Sequence, residues 1–295
     1  MKRIIALMAV AAVAVGCNND NNEIAHVDSN EIRVVASLGN STRATLTEFE
    51  AGDVMSLYAV EYSGDEVADI QSAGNYLNNE ALTFNGSEWL SERTLYWSEN
   101  PCDFYAFYPY RANGPMSNVL FEVATNQNSA ESEEALSGYE ASDLMWAKAE
   151  RVAREDGAVQ LSFKHMMSRL VVNIERGSSY EGELPEEIEV HVYNTRVAAI
   201  DDWRVGTLQV DPEGERRTIT MRRVDGDTFE AIIVPQFIER RTPLIEITME
   251  GIAYLLESSA SFRPGKQHTF TVTLNTSPDQ EKIEINIDGD IDDWQ

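Results

Sequence analysis

The sequence predicts an all-β protein made of two tandem β-sandwich domains. Short apolar runs, alternating or continuous, recur roughly 8–15 residues apart with turn residues between them. Helical periodicity is nearly absent. The 295 residues suffice for two domains of roughly 100–150 residues each, and a polar, acidic stretch over 126–143 splits the pattern into two blocks. Hydrophobic residues are 43% of the chain and aromatics 9%, so each block can bury a core. The predicted domains are 31–157 and 158–295.

The chain starts with an address. Lys2 and Arg3 precede the apolar stretch Ile4 to Val15, which ends in Ala14-Val15-Gly16-Cys17. A basic start and a short apolar core read as a signal peptide over 1–16, too short for a mature membrane span. Small residues before a cysteine resemble the bacterial lipobox, which implies lipid on Cys17. The usual leucine three positions before the cysteine is Ala14 here, and an ordinary secretory signal with an incidental cysteine is the other reading. Residues 17–30 are polar and Asn-rich and read as a flexible tether.

In the first block, Ile32, Val34, Ala36 and Leu38 alternate as in a half-buried strand. The run 53–60 (DVMSLYAV) is continuously apolar and suits a strand buried on both faces. Asn85-Gly86 lies between two short alternating runs, a hairpin signal. TLYWS and DFYAFYPY read as aromatic strands. Residues 126–143 read as a long loop with one helical turn.

The second block starts at Val159, with Leu161, Phe163 and His165 on the same face. His165 reads as a hydrogen-bonded core histidine. Alternation resumes at Leu170, Ile188, Phe229, Ile245, Ile252 and Phe270. Asp211-Pro212-Glu213-Gly214 and Glu250-Gly251 read as turns.

Charge and motif content narrow the function. Lys and Arg number 23 against 50 Asp and Glu, a net charge of -27, which repels nucleic acid and anionic lipid. No nucleophile elbow, dinucleotide fingerprint or P-loop occurs. The four histidines are scattered, and with Cys17 assigned to lipid only Cys102 remains, too few ligands for a zinc site. Cys102 reads as a small buried hydrophobe. The acids at Asp288, Asp290, Asp292 and Asp293 lack EF-hand spacing and read as a solvated strand end. No enzyme, metal or cofactor is expected.

An ordered set of segments adds a resemblance. STRATLTEFEAGDVMSLYAV, TLYWSENPCDFYAFYPY, SDLMWAKA, VQLSFKHMMSRLVVNI and GKQHTFTVTL together resemble the fimbrillin (Mfa-like) family of Bacteroidota, over roughly residues 30–275. The resemblance implies two transthyretin-like sandwiches exported as an outer-membrane lipoprotein and assembled into a fimbria that supports adhesion. It further implies that a surface protease cuts after an arginine in the loop that follows the first strand. That strand then leaves, and a strand of the next subunit fills the groove. The matching first strand is 31–38, and the matching cut lies between Arg43 and Ala44. An ordinary loop arginine is the alternative for Arg43.

The segment carrying Ile283, Ile285, Ile287, Ile291 and Trp294 reads as a donor strand or as the last strand of its own domain. A competing function is a non-polymerising surface lipoprotein that binds glycans through Trp89, Trp97, Tyr108 and Tyr110. The expected partners are other fimbrial subunits, the protease and, through Cys17, the outer membrane.

Overall fold

The computed structural model describes residues 30–39, 49–114, 120–129, 136–275 and 285–293. Its strands, in chain order, are β1 (Val34–Leu38), β2 (Val54–Ser63), β3 (Glu66–Val67), β4 (Leu77–Phe84), β5 (Trp89–Ser91), β6 (Cys102–Tyr108), β7 (Leu120–Glu122), β8 (Met145–Val152) and β9 (Val159–His165). They continue with β10 (Ser168–Arg176), β11 (Ile188–Arg196), β12 (Ala198–Asp202), β13 (Thr207–Val210), β14 (Arg216–Thr220), β15 (Arg222–Asp225) and β16 (Thr228–Ile233). The last are β17 (Phe237–Met249), β18 (Ile252–Ser261), β19 (Lys266–Leu274) and β20 (Ile285–Asp293). A short helix, α1 (Gly138–Ser142), sits in the predicted loop, and Ser137 and Glu140 cap it reciprocally. The all-β prediction holds.

Among the described residues the strands form four sheets. The first is eight-stranded, in the order β1-β9-β8-β6-β2-β4-β5, with β3 attached to β2. It encloses a core of its own, built from the inward residues of β2, β6, β8 and β9. The second half supplies a five-stranded sheet, β15-β16-β10-β19-β20, and a four-stranded sheet, β14-β11-β17-β18. These two share a second core. A small sheet, β13-β12-β7, joins a strand from the first half to two from the second.

The continuous apolar runs of β2 and β6 have a clear cause. Met55, Leu57 and Ala59 face the first core while Tyr58 and Val60 face the second. In β6, Phe104 and Ala106 face the first core, and Tyr105 and Phe107 the second. A strand packed on both faces cannot alternate in polarity.

Several expectations are modified. Asn85 and Gly86 do turn the chain, but through a four-residue loop: Phe84 pairs with Trp89, and the Asn85 carboxamide oxygen accepts from the Ser87 and Glu88 amides. TLYWS holds a single bridge, Glu31 to Tyr96, and no ladder. The turn at 211–214 links β13 and β14, which pair in different sheets. Glu250-Gly251 is a two-residue hairpin turn with φ of +50° and +77°, which Gly251 accommodates without a Cβ.

Strand β9, which the alternation places at the start of the second block, pairs in parallel with β1 and antiparallel with β8. The division between the sheets therefore falls between His165 and Ser168. Among the described residues no helix is long and apolar enough to cross a membrane.

Candidate functional site

The site is the seam that β1 closes. Strand β1 is an edge strand of the first sheet, paired in parallel from Val34↔Val159 to Leu38↔Phe163. The predicted alternation holds. Val34 is 7% exposed and Val35 is 48% exposed, while Ile32, Ala36 and Leu38 pack half-buried against the first core. Backbone bonds fasten both flanks. The Val159 amide donates to the Arg33 carbonyl and the Gly39 amide to the Phe163 carbonyl, each at 2.8 Å. On the other side the Ile32 amide donates to the Leu95 carbonyl at 2.8 Å. The chain entering β1 thus also holds the segment after β5.

The core that Val34 joins is apolar: Val159, Leu161 and Phe163, beside it on β9, are buried, as are Trp89, Leu95 and Trp97. Phe49 covers one end. Its ring meets Trp89 at 4.9 Å, Phe163 at 5.4 Å and Tyr108 at 5.7 Å, each edge to face. Such pairs add roughly 0.5–1.5 kcal/mol each beyond area burial.

Phe49 is placed by the turn that follows it. The Glu50 amide donates to Asp53 Oδ2 at 2.7 Å, and the Tyr108 hydroxyl donates to Asp53 Oδ1 at 2.8 Å. Burial, then the Asp53 charge, pushes the Tyr108 phenol well above its ordinary pKa, so it stays a donor. Nearby, His165 Nδ1 lies 2.8 Å from Asp143 Oδ1. The soft motifs of the sequence therefore meet in space: Phe49 and Asp53 of TEFEAGD, Tyr108 of DFYAFYPY, Asp143 of SDLMWAKA, and Phe163 and His165 of LSFKH.

Other predicted residues fall as follows. Cys17, Arg43, Ala44, Ile283 and Trp294 lie outside the described residues. Ile285, Ile287 and Ile291 lie in β20, an edge strand whose backbone pairs with Leu274, Val272 and His268 of β19. Trp89, Trp97 and Tyr108 are buried in the first core, so they offer glycans no open face. Cys102 is buried and free, and burial raises its thiol pKa to about 12.

Gln127 carries a structural role that its sequence context does not signal. It is fully buried, and its carboxamide bonds the Ile232 amide and carbonyl at 2.7 and 2.9 Å. That pair of hydrogen bonds ties the loop after β7 to β16. Nothing in an Asn- and Ser-rich loop marks one glutamine for this role.

A family model described as fimbrillin-like matches residues 42–294. A curated relative from Bacteroides ovatus, provisionally named fimbrium tip subunit Fim1C, is 29% identical over 201 residues, covering 57% of this chain. This chain spans 35% of that relative's length. A crystal structure of a Bacteroides uniformis protein provisionally assigned to cell adhesion matches at TM-score 0.66 and 23% identity, covering 90% of this chain and 100% of that one. A second, from Bacteroides ovatus and assigned in the same way, matches at TM-score 0.69 and 17% identity, covering 90% and 98%. At these identities the two structures establish the shared fold.

Proposed function

The chain belongs to the fimbrillin-like family, and from that premise we propose that it is a structural subunit of a cell-surface fimbria that supports adhesion. In this reading it is exported with lipid on Cys17 to the outer membrane, and a surface protease cuts between Arg43 and Ala44. Strand β1 then leaves, and a strand from a neighbouring subunit takes its place.

The observation that carries the reading is the position of β1. It is short and lies at a sheet edge beside β9 with one face against the first core, and Ile32 just before it bonds to Leu95. Its loss uncovers Val159, Leu161 and Phe163 and frees the Val159 amide and the Leu95 carbonyl. Unpaired edge groups beside an apolar floor favour β-augmentation. Phe49 follows the cut in sequence, so it stays to line the groove. Strand β20 supports a donor role through its edge position and the alternation of Ile285, Ile287 and Ile291. We draw the two domains accordingly, the first ending with β9 and the second starting with β10.

The test is the N-terminal residue of the mature surface form, read beside its detergent-resistant ladder. We expect Ala44 and a ladder in the wild type, and an unladdered precursor starting at Cys17 in Arg43→Ala. A ladder built from chains that still start at Cys17 refutes cleavage-driven exchange.

A further inference from the structure

Strand β18 ends the four-stranded sheet, and among the described residues no strand pairs with its outer side. Its ten residues, IAYLLESSAS, hold one charge, Glu257, and no proline or lysine. Both irregularities of its hairpin add residues to β17 rather than to β18. An edge of that length is a template for another strand unless charge, proline or a bulge blocks it.

The other edges are blocked or short. Strand β20 carries Asp288, Asp290, Asp292 and Asp293, and β15 carries Arg222, Arg223 and Asp225. Strand β14 carries Arg216 and Arg217, and the loop after β7 crosses it. There the Thr220 amide donates to the Thr125 carbonyl at 2.7 Å and the Gln127 amide to the Thr220 carbonyl at 3.0 Å. Strands β3, β5, β7 and β13 have two to four residues each. Beyond the seam at β1, the long unguarded edge is β18.

The turn at Glu250-Gly251 sets which groups are open. It makes Met249 and Ile252 a hydrogen-bonded pair, so Tyr254 and Leu256 bond back to β17. Ala253, Leu255 and Glu257 therefore aim their backbone N–H and C=O groups outward. Tyr254, Leu256 and Ala260 are buried in the second core, whereas Leu255 is 52% exposed.

The edge is complementary to itself. An antiparallel pair of β18 strands related by a twofold axis is centred on one residue facing its own copy. Centred on Glu257, it opposes two carboxylates. Centred on Leu256, it sets each Leu255 against a Glu257. Centred on Leu255, it joins the two exposed leucines and sets each Glu257 against an Ala253. The two Glu257 side chains then lie about 14 Å apart along the strands, at about 3.4 Å per residue, which is beyond the screening length of about 8 Å at physiological salt. Centres nearer the turn pair fewer residues.

We infer that β18 is a docking edge for β18 of a second copy of this chain, paired antiparallel about Leu255, so that two four-stranded sheets become one. The edge is separate from the seam, and this pairing stands or falls independently of strand exchange.

The full chain carrying Cys17→Ser, in mild detergent, is followed by sedimentation equilibrium, and its intact mass confirms that β1 is attached. A dimer is expected with Kd on the order of 100 μM, as for a small transient interface. Added salt should tighten it, since each chain carries a net charge of -27. Leu255→Lys opposes two ammonium groups and should weaken the dimer about tenfold or more, with melting curves confirming the fold. Leu255→Cys should cross-link to its own copy on oxidation, since paired Cα atoms lie about 5.5 Å apart. Ser259→Cys, about 27 Å from its copy at about 3.4 Å per residue, should not. The inference is overturned by a chain that stays monomeric up to about 1 mM, ten times that Kd. It is equally overturned if folded Leu255→Lys dimerises as the wild type does, or if Ser259→Cys cross-links as fast as Leu255→Cys. Slow hydrogen exchange at the Ala253 and Leu255 amides of a monomer would show that the chain covers this edge itself, which also overturns it.

Discussion

Replacing Val34 by alanine tests the face of β1 that closes the seam. Val34 is 7% exposed and its neighbour Val35 is 48% exposed, so the two valines differ in burial and in little else. Truncation to alanine removes two methyl groups, about 1.5 kcal/mol of transfer energy at roughly 0.8 kcal/mol per group. A residual cavity raises the cost at Val34 to about 2 kcal/mol. Val35→Ala should cost less than about 0.5 kcal/mol. The assay is denaturant unfolding of the full-length chain, followed by tryptophan fluorescence, with Trp89 and Trp97 in the same core.

Hydrogen exchange at the Val159 amide localises the effect, because that amide donates to Arg33. A loss of about 2 kcal/mol in strand release raises its exchange about 30-fold. Equal destabilisation by Val34→Ala and Val35→Ala refutes the assigned face. Destabilisation by Val34→Ala without faster exchange at Val159 refutes the pairing of β1 with β9.

Other perturbations probe the rest of the molecule. Asp201 has its pKa raised from 3.8 to about 7, first by burial, with Arg111 opposing. The folded state therefore holds the proton more tightly, so this stabilising contribution is complete below about pH 4 and is lost as pH rises through about 7. Asp201→Asn should flatten that part of the pH–stability profile in thermal melts; an unchanged slope over pH 4–7 contradicts the burial of the Asp201 carboxylate. Gln127→Ala should cost about 2–4 kcal/mol, since it leaves the buried Ile232 amide and carbonyl unpaired, and a denaturation midpoint equal to wild type disproves the staple. Cys102, with its thiol raised to about 12, should resist iodoacetamide at pH 8 until the chain unfolds. Peptide-level mass spectrometry reads this directly, and rapid labelling of the folded chain would contradict its burial.

Strand existence and facing were readable from the chain because they depend on local burial. Ile32 to Leu38 alternates since one side meets a core, β2 and β6 are continuous since both sides do, and Glu250-Gly251 needs positive φ wherever it stands. The seam at β1, the site of the proposed strand exchange, was half readable: its inward residues were visible, and the resemblance pointed at the first strand. The partners of β9 were not legible because a half-buried strand has the same alternation whichever neighbour it pairs with. Only the assembled backbone shows that Val159 to Phe163 lies along Val34 to Leu38. The convergence of Phe49, Asp53, Tyr108 and Phe163 is likewise invisible in one dimension, since an edge-to-face contact leaves no periodic trace. Asp201 looked like one of 50 acids. Its burial beside Trp203 and Arg111 depends on strands far apart in sequence meeting at one hairpin. The sequence by itself determined most of the strands, their faces and the family; the tertiary structure decided which edges meet and which polar groups are buried, because pairing and burial depend on neighbours that no local stretch of chain contains.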